Sequence, residues 1–217
     1  EGVKPAIKEA KDAGVYIVCV DAIVEDEAVD CQVGVDNYAA GAAIGEFVVD
    51  YMESNDLPNK NIGVLGALNS YIQNLRKDAF VEVVEAAGAT ITQTVDGQNR
   101  QEAAMAAAEN VFTAQTDTYI MYATGEPQMV GAVAAVRSQN KGTSVKLFGW
   151  DLTAEVITGI DDGFVLGVVQ QDPKTEGYEA VMACKTLVEG GEVAEFIDVP
   201  IEIVTQDNVE PYREIFQ

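Results

Sequence analysis

Apolar runs of strand length alternate with helix-length amphipathic stretches along this chain, and that alternation constrains its fold more than any other feature. The strand-like runs are "VYIVCVD", "CQVGVD", "KNIGVLGAL", "ATITQTVDG", "TDTYIMYAT", "SVKLFGWD", "VLGVVQQD" and "VPIEIVT". Between them lie helical patterns. "VKPAIKEAKDAG" ends at Gly14, as a helix closed by a glycine would. "NYAAGAAIGEFVVDYMES" carries Ile44, Phe47, Val48, Tyr51 and Met52 on one stripe. Further helices are expected from about Ser70 to Ala87, Arg100 to Ala114, over "PQMVGAVAAVRSQ" and "TAEVITGIDDG", and from Pro173 to about Glu189. Repeated strand–helix alternation predicts a doubly wound α/β fold with parallel sheets. "VYIVCVD" is continuously apolar, which predicts a strand covered on both faces. The two glycines of "NYAAGAAIG" predict close packing of that helix on a neighbour.

Composition removes several functions. The chain has 217 residues, enough for one large domain or two small ones. Its 36 acidic residues outnumber 13 basic ones, for a net charge of −23. Such a surface repels phosphate backbones, so nucleic acid is not an expected partner. No apolar run reaches the length of a membrane span, which predicts a soluble chain. Histidine is absent, which removes His-based triads and His-ligated zinc. Of three cysteines, Cys19 and Cys184 fit core positions and Cys31 a partly exposed one. No phosphate-cradling glycine loop and no G-x-S-x-G elbow occurs. No metal and no cofactor is expected.

In open parallel sheets, ligands sit outside the carboxyl ends of the strands. The polar residues there are Asp21; Asp36 and Asn37; Asn69 and Ser70; Gln98, Asn99 and Arg100; Thr124, Gly125 and Glu126; Asp151; and Gln170 and Gln171. Carboxylates accept hydrogen bonds, arginine donates a planar fork, and amides do both. That inventory suits a neutral polyol, and the single tryptophan, Trp150, could cover a sugar's C–H face. The competing reading is that Asp, Asn and Ser at strand ends cap the following helices. Asp151, followed by "LTAEV", fits both.

With these residues in view, the chain resembles the ribose-type sugar-binding proteins of bacterial ABC importers, the type I periplasmic binding proteins. The resemblance rests on "VYIVCVDA", "VGVDNYAAGAAIGEFV", "RKDAF", "FGWD", "VVQQDP" and "VPIEIVTQDNV", in that order. It implies two doubly wound parallel-sheet lobes joined by three crossovers. Residues 1–35 and 172–199 would belong to an amino-terminal lobe, incomplete in this chain, and 36–171 and 200–217 to a carboxyl-terminal one. It implies a monosaccharide or polyol ligand, delivery to an ABC permease, no catalysis, and an extracytoplasmic place in the periplasm or as a cell-surface lipoprotein. Asp21 looks like the carboxylate of the first lobe, Arg76 the arginine and Asp151 the carboxylate of the second, and Gln171 the glutamine at the hinge. Trp150 stands where ribose binders have a stacking phenylalanine.

The departures are Ala22 in place of a second arginine, Gly125 near a cleft asparagine, and Gln98 near a second stacking phenylalanine. They imply a reshaped pocket for a pentose, hexose or other polyol. Family members carry three strands and two helices ahead of "EGVKPAIKEAKDAG". The resemblance therefore implies a remnant lobe that is either covered by another chain, with self-association as one route, or locally disordered, and weak sugar binding by residues 1–217 alone. Two other functions share the pattern: the effector domain of a LacI-type regulator, and a sugar-active α/β enzyme. "QQDP" favours transport over the first, and the lack of histidine or a nucleophile motif disfavours the second.

Overall fold

The computed structural model describes residues 2–57, 59–114 and 119–216. Along the chain come α1 (Lys4–Asp12), β1 (Val18–Val20), β2 (Cys31–Gly34), α2 (Asn37–Ser54), β3 (Asn61–Gly66) and α3 (Tyr71–Ala86). Then follow β4 (Thr90–Asp96), α4 (Gln101–Ala114), β5 (Tyr119–Ala123), α5 (Glu126–Ser138) and β6 (Val145–Trp150). The last elements are α6 (Ala154–Asp161), β7 (Val165–Gln170), α7 (Pro173–Val188), β8 (Phe196–Asp198), β9 (Glu202–Val204) and a 3-10 turn at Glu210–Tyr212. They form two compact units. Unit 1 is Glu1–Asp36 with Gln171–Ile201, and unit 2 is Asn37–Gln170 with Glu202–Gln217. Asp36, Gln171 and residues 200–201, assigned to the other lobe from sequence, thus fall in unit 1.

Unit 1 holds a parallel sheet in the order β1-β2-β8. On one face Cys31, Val33 and Val18 pack with Ala180 and Ala183 of α7 and with Val199. Asp172 starts α7: its carboxylate accepts the Thr175 N–H at 3.0 Å, and Pro173 opens the first turn. The Asp30 carboxylate accepts from the Lys11 ammonium and, at 2.8 Å, from the Ile17 N–H, which ties the segment after α1 to the loop before β2.

Three expectations change here. The "VYIVCVD" strand shrinks to three residues. Val15, Tyr16 and Val20 are 51%, 45% and 42% exposed, because β1 is an edge strand among the described residues and pairs only with β2. Cys31 is wholly buried on the middle strand, whereas Cys184 is exposed. The face of α7 that carries Ala180, Ala183 and Leu187 points inward, and one residue further on the helix has turned by 100°. "VPIEIVT" shortens to Glu202–Val204, and β8 lies ahead of it in a charged stretch with no apolar alternation.

Unit 2 is built on a six-stranded sheet in the order β4-β3-β5-β6-β7-β9. Its pairs are parallel except β7–β9, which is antiparallel. Side chains alternate across it. Tyr119, Met121, Ala123, Val145 and Leu147 face α4, α5 and α6 in one continuous core. Tyr122 and Phe148 take the other face, where Phe80 of α3 and Phe47 and Tyr51 of α2 meet them ring to ring. As expected from the two glycines, α2 packs closely on α3, with Gly41 set against the backbone of Arg76.

The cores differ greatly in extent, and local opening follows burial. Amides of β1, β2 and β8 are expected to exchange with deuterium faster than those of β3, β5 and β6. Exchange measured by mass spectrometry checks this, and equal protection of the two sheets would contradict it.

Candidate functional site

The strand ends of β3, β5 and β6 in unit 2 carry a connected polar group. After β3 the chain turns through Ser70, whose hydroxyl accepts the Gln73 N–H at 3.4 Å and starts α3. That start points Gln73, Arg76 and Phe80, successive turns of one face, toward the sheet. The Gln73 Oε1 accepts from the Thr124 hydroxyl at 2.6 Å and the Ala67 N–H at 3.2 Å. Its Nε2 donates to Asn99 Oδ1 at 2.8 Å. One amide thus fastens together the ends of β3 and β5 and the β4–α4 loop.

Arg76, one turn on, is only 7% exposed. Its Nε donates to Asn37 Oδ1 at 2.7 Å, and its Nη1 to the Thr124 carbonyl at 3.2 Å. Its guanidinium carbon lies 3.5 Å from the centre of the Trp150 ring. A desolvated cation on an indole face gains roughly 2 kcal/mol. The indole N–H donates to Tyr122 Oη at 2.7 Å, and Phe80 stacks on Tyr122 at 4.0 Å. Burial pushes the Tyr122 hydroxyl far above its ordinary range, against the Trp150 hydrogen bond and the Arg76 charge. The phenol therefore stays neutral and serves as the indole's acceptor. Burying a charge is costly unless hydrogen bonds hold it, and the Asn37 amide, the Thr124 carbonyl and the Trp150 ring are among the groups that hold this one.

Asp151 follows β6 in a left-handed conformation, φ 59°, with its N–H bonded to the Val169 carbonyl at 2.9 Å. It does not cap α6: the Thr153 hydroxyl does, accepting the Val156 N–H. Asp21 repeats the pattern in unit 1. It follows β1 with φ 63° and an N–H bonded to the Val33 carbonyl at 2.9 Å. Left-handed residues other than glycine cost roughly 1 kcal/mol or more, and such strain gathers at functional sites.

The other sequence candidates separate. The ring of Trp150 was expected to stand open to a sugar. It is instead 0% exposed, lies under Arg76 and works as that residue's platform. Gln98 is exposed, with φ 53°, and its Oε1 accepts from Arg100 Nη2 at 2.8 Å, so its side chain does not join the group around Arg76. Its neighbour Asn99 does, through Gln73. Gly125 begins α5, and a Cβ there would stand 2.8 Å from Gln73 Nε2. The space of a side chain at 125 is therefore taken by amides from elsewhere. Gln170 Oε1 accepts the Leu152 N–H at 2.9 Å, which fixes the segment next to Asp151. Gln171 is half-buried and opens the second segment of unit 1. Gln73 and Tyr122 were not expected: one lies inside a helix and the other inside a strand, and neither belongs to the polar residues that follow the strands. Among the described residues, no cluster of acidic or sulfur ligands could hold a metal, and no helix is long and apolar enough to cross a membrane.

The periplasmic binding protein domain family matches residues 1–192, and the chain belongs to that family. It is 24% identical over 213 residues to the ABC transporter periplasmic-binding protein YphF of Escherichia coli K12, covering 94% of this chain and 65% of that protein. It is 20% identical over 206 residues to the ribose import binding protein RbsB of the same strain, covering 95% of this chain and 68% of RbsB. An ABC transporter solute-binding protein from Agrobacterium vitis, bound with α-D-tagatopyranose, superposes with a TM-score of 0.87 at 16% identity. That match covers 99% of this chain and 75% of the other. At such identity the likeness shows the fold, which is that of type I periplasmic binding proteins.

Proposed function

We propose that this chain belongs to a non-catalytic binding protein that captures a monosaccharide or related polyol and hands it to an ABC permease. The observation that carries the reading is the guanidinium of Arg76, held at the strand ends by Asn37, the Thr124 carbonyl and the Trp150 ring. A donor fork fixed in this way can bind ring and hydroxyl oxygens without reorganising. Asp151, which is not used as a helix cap, supplies an acceptor for hydroxyls in the same unit. Asp21, at the matching strand end of unit 1, is proposed as a further hydroxyl acceptor. Gln171 is proposed to contribute its amide. Trp150 acts through Arg76 rather than on the sugar. An extracytoplasmic location follows from the transport reading.

The test is a thermal-shift screen of the protein, expressed from its whole reading frame, against D-ribose, L-arabinose, D-xylose, D-glucose, D-galactose, D-tagatose and myo-inositol. A cognate ligand at a hundredfold excess over Kd raises stability by about 2.7 kcal/mol. Calorimetry then gives the affinity, and ATPase stimulation of the permease in proteoliposomes tests delivery. A flat screen across the panel would overturn the sugar reading.

A further inference from the structure

Asn99 stands in the loop between β4 and α4, at the carboxyl edge of the unit 2 sheet, where ligands of open parallel sheets sit. Asp96 holds this loop: its carboxylate accepts the Gln98 N–H at 2.8 Å and the Leu68 N–H at 3.2 Å. Gln98 and Asn99 then follow in the left-handed region, with φ 53° and 52°. Two such residues in succession, neither of them glycine, are costly to hold. A chain of hydrogen bonds fixes which way round the Asn99 amide lies. A backbone N–H can only donate, so the Gln73 side-chain atom that meets the Ala67 N–H at 3.2 Å is its oxygen, and the Thr124 hydroxyl donates to the same atom. The other Gln73 atom is therefore Nε2, a pure donor, and its partner on Asn99 at 2.8 Å is Oδ1. Asn99 Nδ2 is thereby turned away from Gln73, and it has no hydrogen-bond partner among the described residues. Gln73 and Gln128, whose amides border the Cβ space of Gly125, are 8% and 0% exposed, whereas Asn99 is exposed. Of these three amides, it is the one that solvent or a ligand can reach.

We propose that Asn99 is a specificity-determining residue of the polyol site, and that it acts in one fixed sense: its Nδ2 donates to a ligand oxygen. The inference rests on the polyol-binding reading above and adds to it the polarity of one contact. A sugar hydroxyl has one proton and two lone pairs. The carboxylates proposed for the site, Asp21 and Asp151, only accept, and so take protons from hydroxyls. Oxygens engaged in that way, and a ring oxygen, then need donors, which Arg76 and Asn99 supply. An asparagine free to turn would donate or accept as the ligand required. This one, locked by Gln73, selects sugars that place an oxygen with a spare lone pair opposite it.

Asn99→Asp tests the sense of the contact. The carboxylate keeps the acceptor that Gln73 Nε2 needs and tolerates the left-handed backbone, but it replaces the outward donor with an oxygen. Asn99→Ala removes both groups. In the protein expressed from its whole reading frame, two quantities are measured for the parent and each variant. They are the melting temperature without sugar and the calorimetric Kd for the tightest-binding sugar of the panel above. Asn99→Asp is expected to melt within about 2 °C of the parent and to bind at least about tenfold more weakly, whereas Asn99→Ala melts lower and binds weakly too. An Asn99→Asp protein with the parent's Kd or a tighter one would overturn the inference and leave the polyol reading standing. So would an Asn99→Asp protein that melts as low as Asn99→Ala, because the amide would not then lie in the assigned sense. If the parent binds none of the panel sugars, the functional reading falls and this inference with it.

Discussion

Gly41→Ala is expected to destabilise unit 2 by about 3 kcal/mol or more and to abolish ligand binding at ordinary concentrations. A Cβ at this position would stand 2.4 Å from the Arg76 carbonyl oxygen and 2.8 Å from the Arg76 Cα. These are backbone atoms of a packed helix and cannot swing aside as the end of a side chain would. Alanine's better helix propensity returns only about 1 kcal/mol, so overlap decides the sign. The displaced element is the turn of α3 that carries Arg76, so its guanidinium would leave the Trp150 ring. Gly177→Ala is the matched control. Gly177 lies within α7 with nothing within 4 Å of its Cβ position, and alanine there is expected to stabilise by up to ~1 kcal/mol. Thermal unfolding of both variants checks the pair, and two alanines of equal effect would refute the close-packing account.

Arg76→Met is the second large effect. It leaves Asn37 Oδ1 and the Thr124 carbonyl without these donors, and two such buried acceptors cost roughly 2–3 kcal/mol together. For a unit of this size that lowers Tm by on the order of 5–10 °C. Affinity for the cognate sugar is expected to fall about a hundredfold, the equivalent of one strong charged hydrogen bond. Trp150 is the only tryptophan, so its emission reports directly on the loss of its covering cation. Undiminished affinity in a folded Arg76→Met protein would remove the guanidinium from the site.

The sequence carried the fold well where the signal is local. The stripe of α2, the cap at Ser70 and the apolar run of β6 each sit within a dozen residues, and they form the elements expected of them. Signals that depend on distant neighbours did not carry. "VYIVCVD" reads as a buried strand because its residues are apolar, but exposure depends on what pairs with its edge. Whether the Trp150 ring is open depends on Arg76, far away in sequence. Asp151 could not be told from a cap until Thr153 was seen to fill that role. Gln73 and Gln128 sit on helices, where an amide looks like any solvated polar residue until its burial is known.

The chain passes from one unit to the other after Asp36, after Gln170 and after Ile201, and this bears on how the molecule is made. β2 ends at Gly34, but its partner β8 begins only at Phe196. At ordinary ribosomal speeds β1 and β2 wait on the order of ten seconds for that partner to emerge. Closing so long a loop is slow unless something brings its ends together. The part of unit 2 from β3 to β7, contiguous in the chain, can form in the interval and shorten the effective loop. A nascent chain halted before residue 196 would thus hold most of the second unit, still without β9, together with a β1–β2 pair that lacks β8, a state open to proteases.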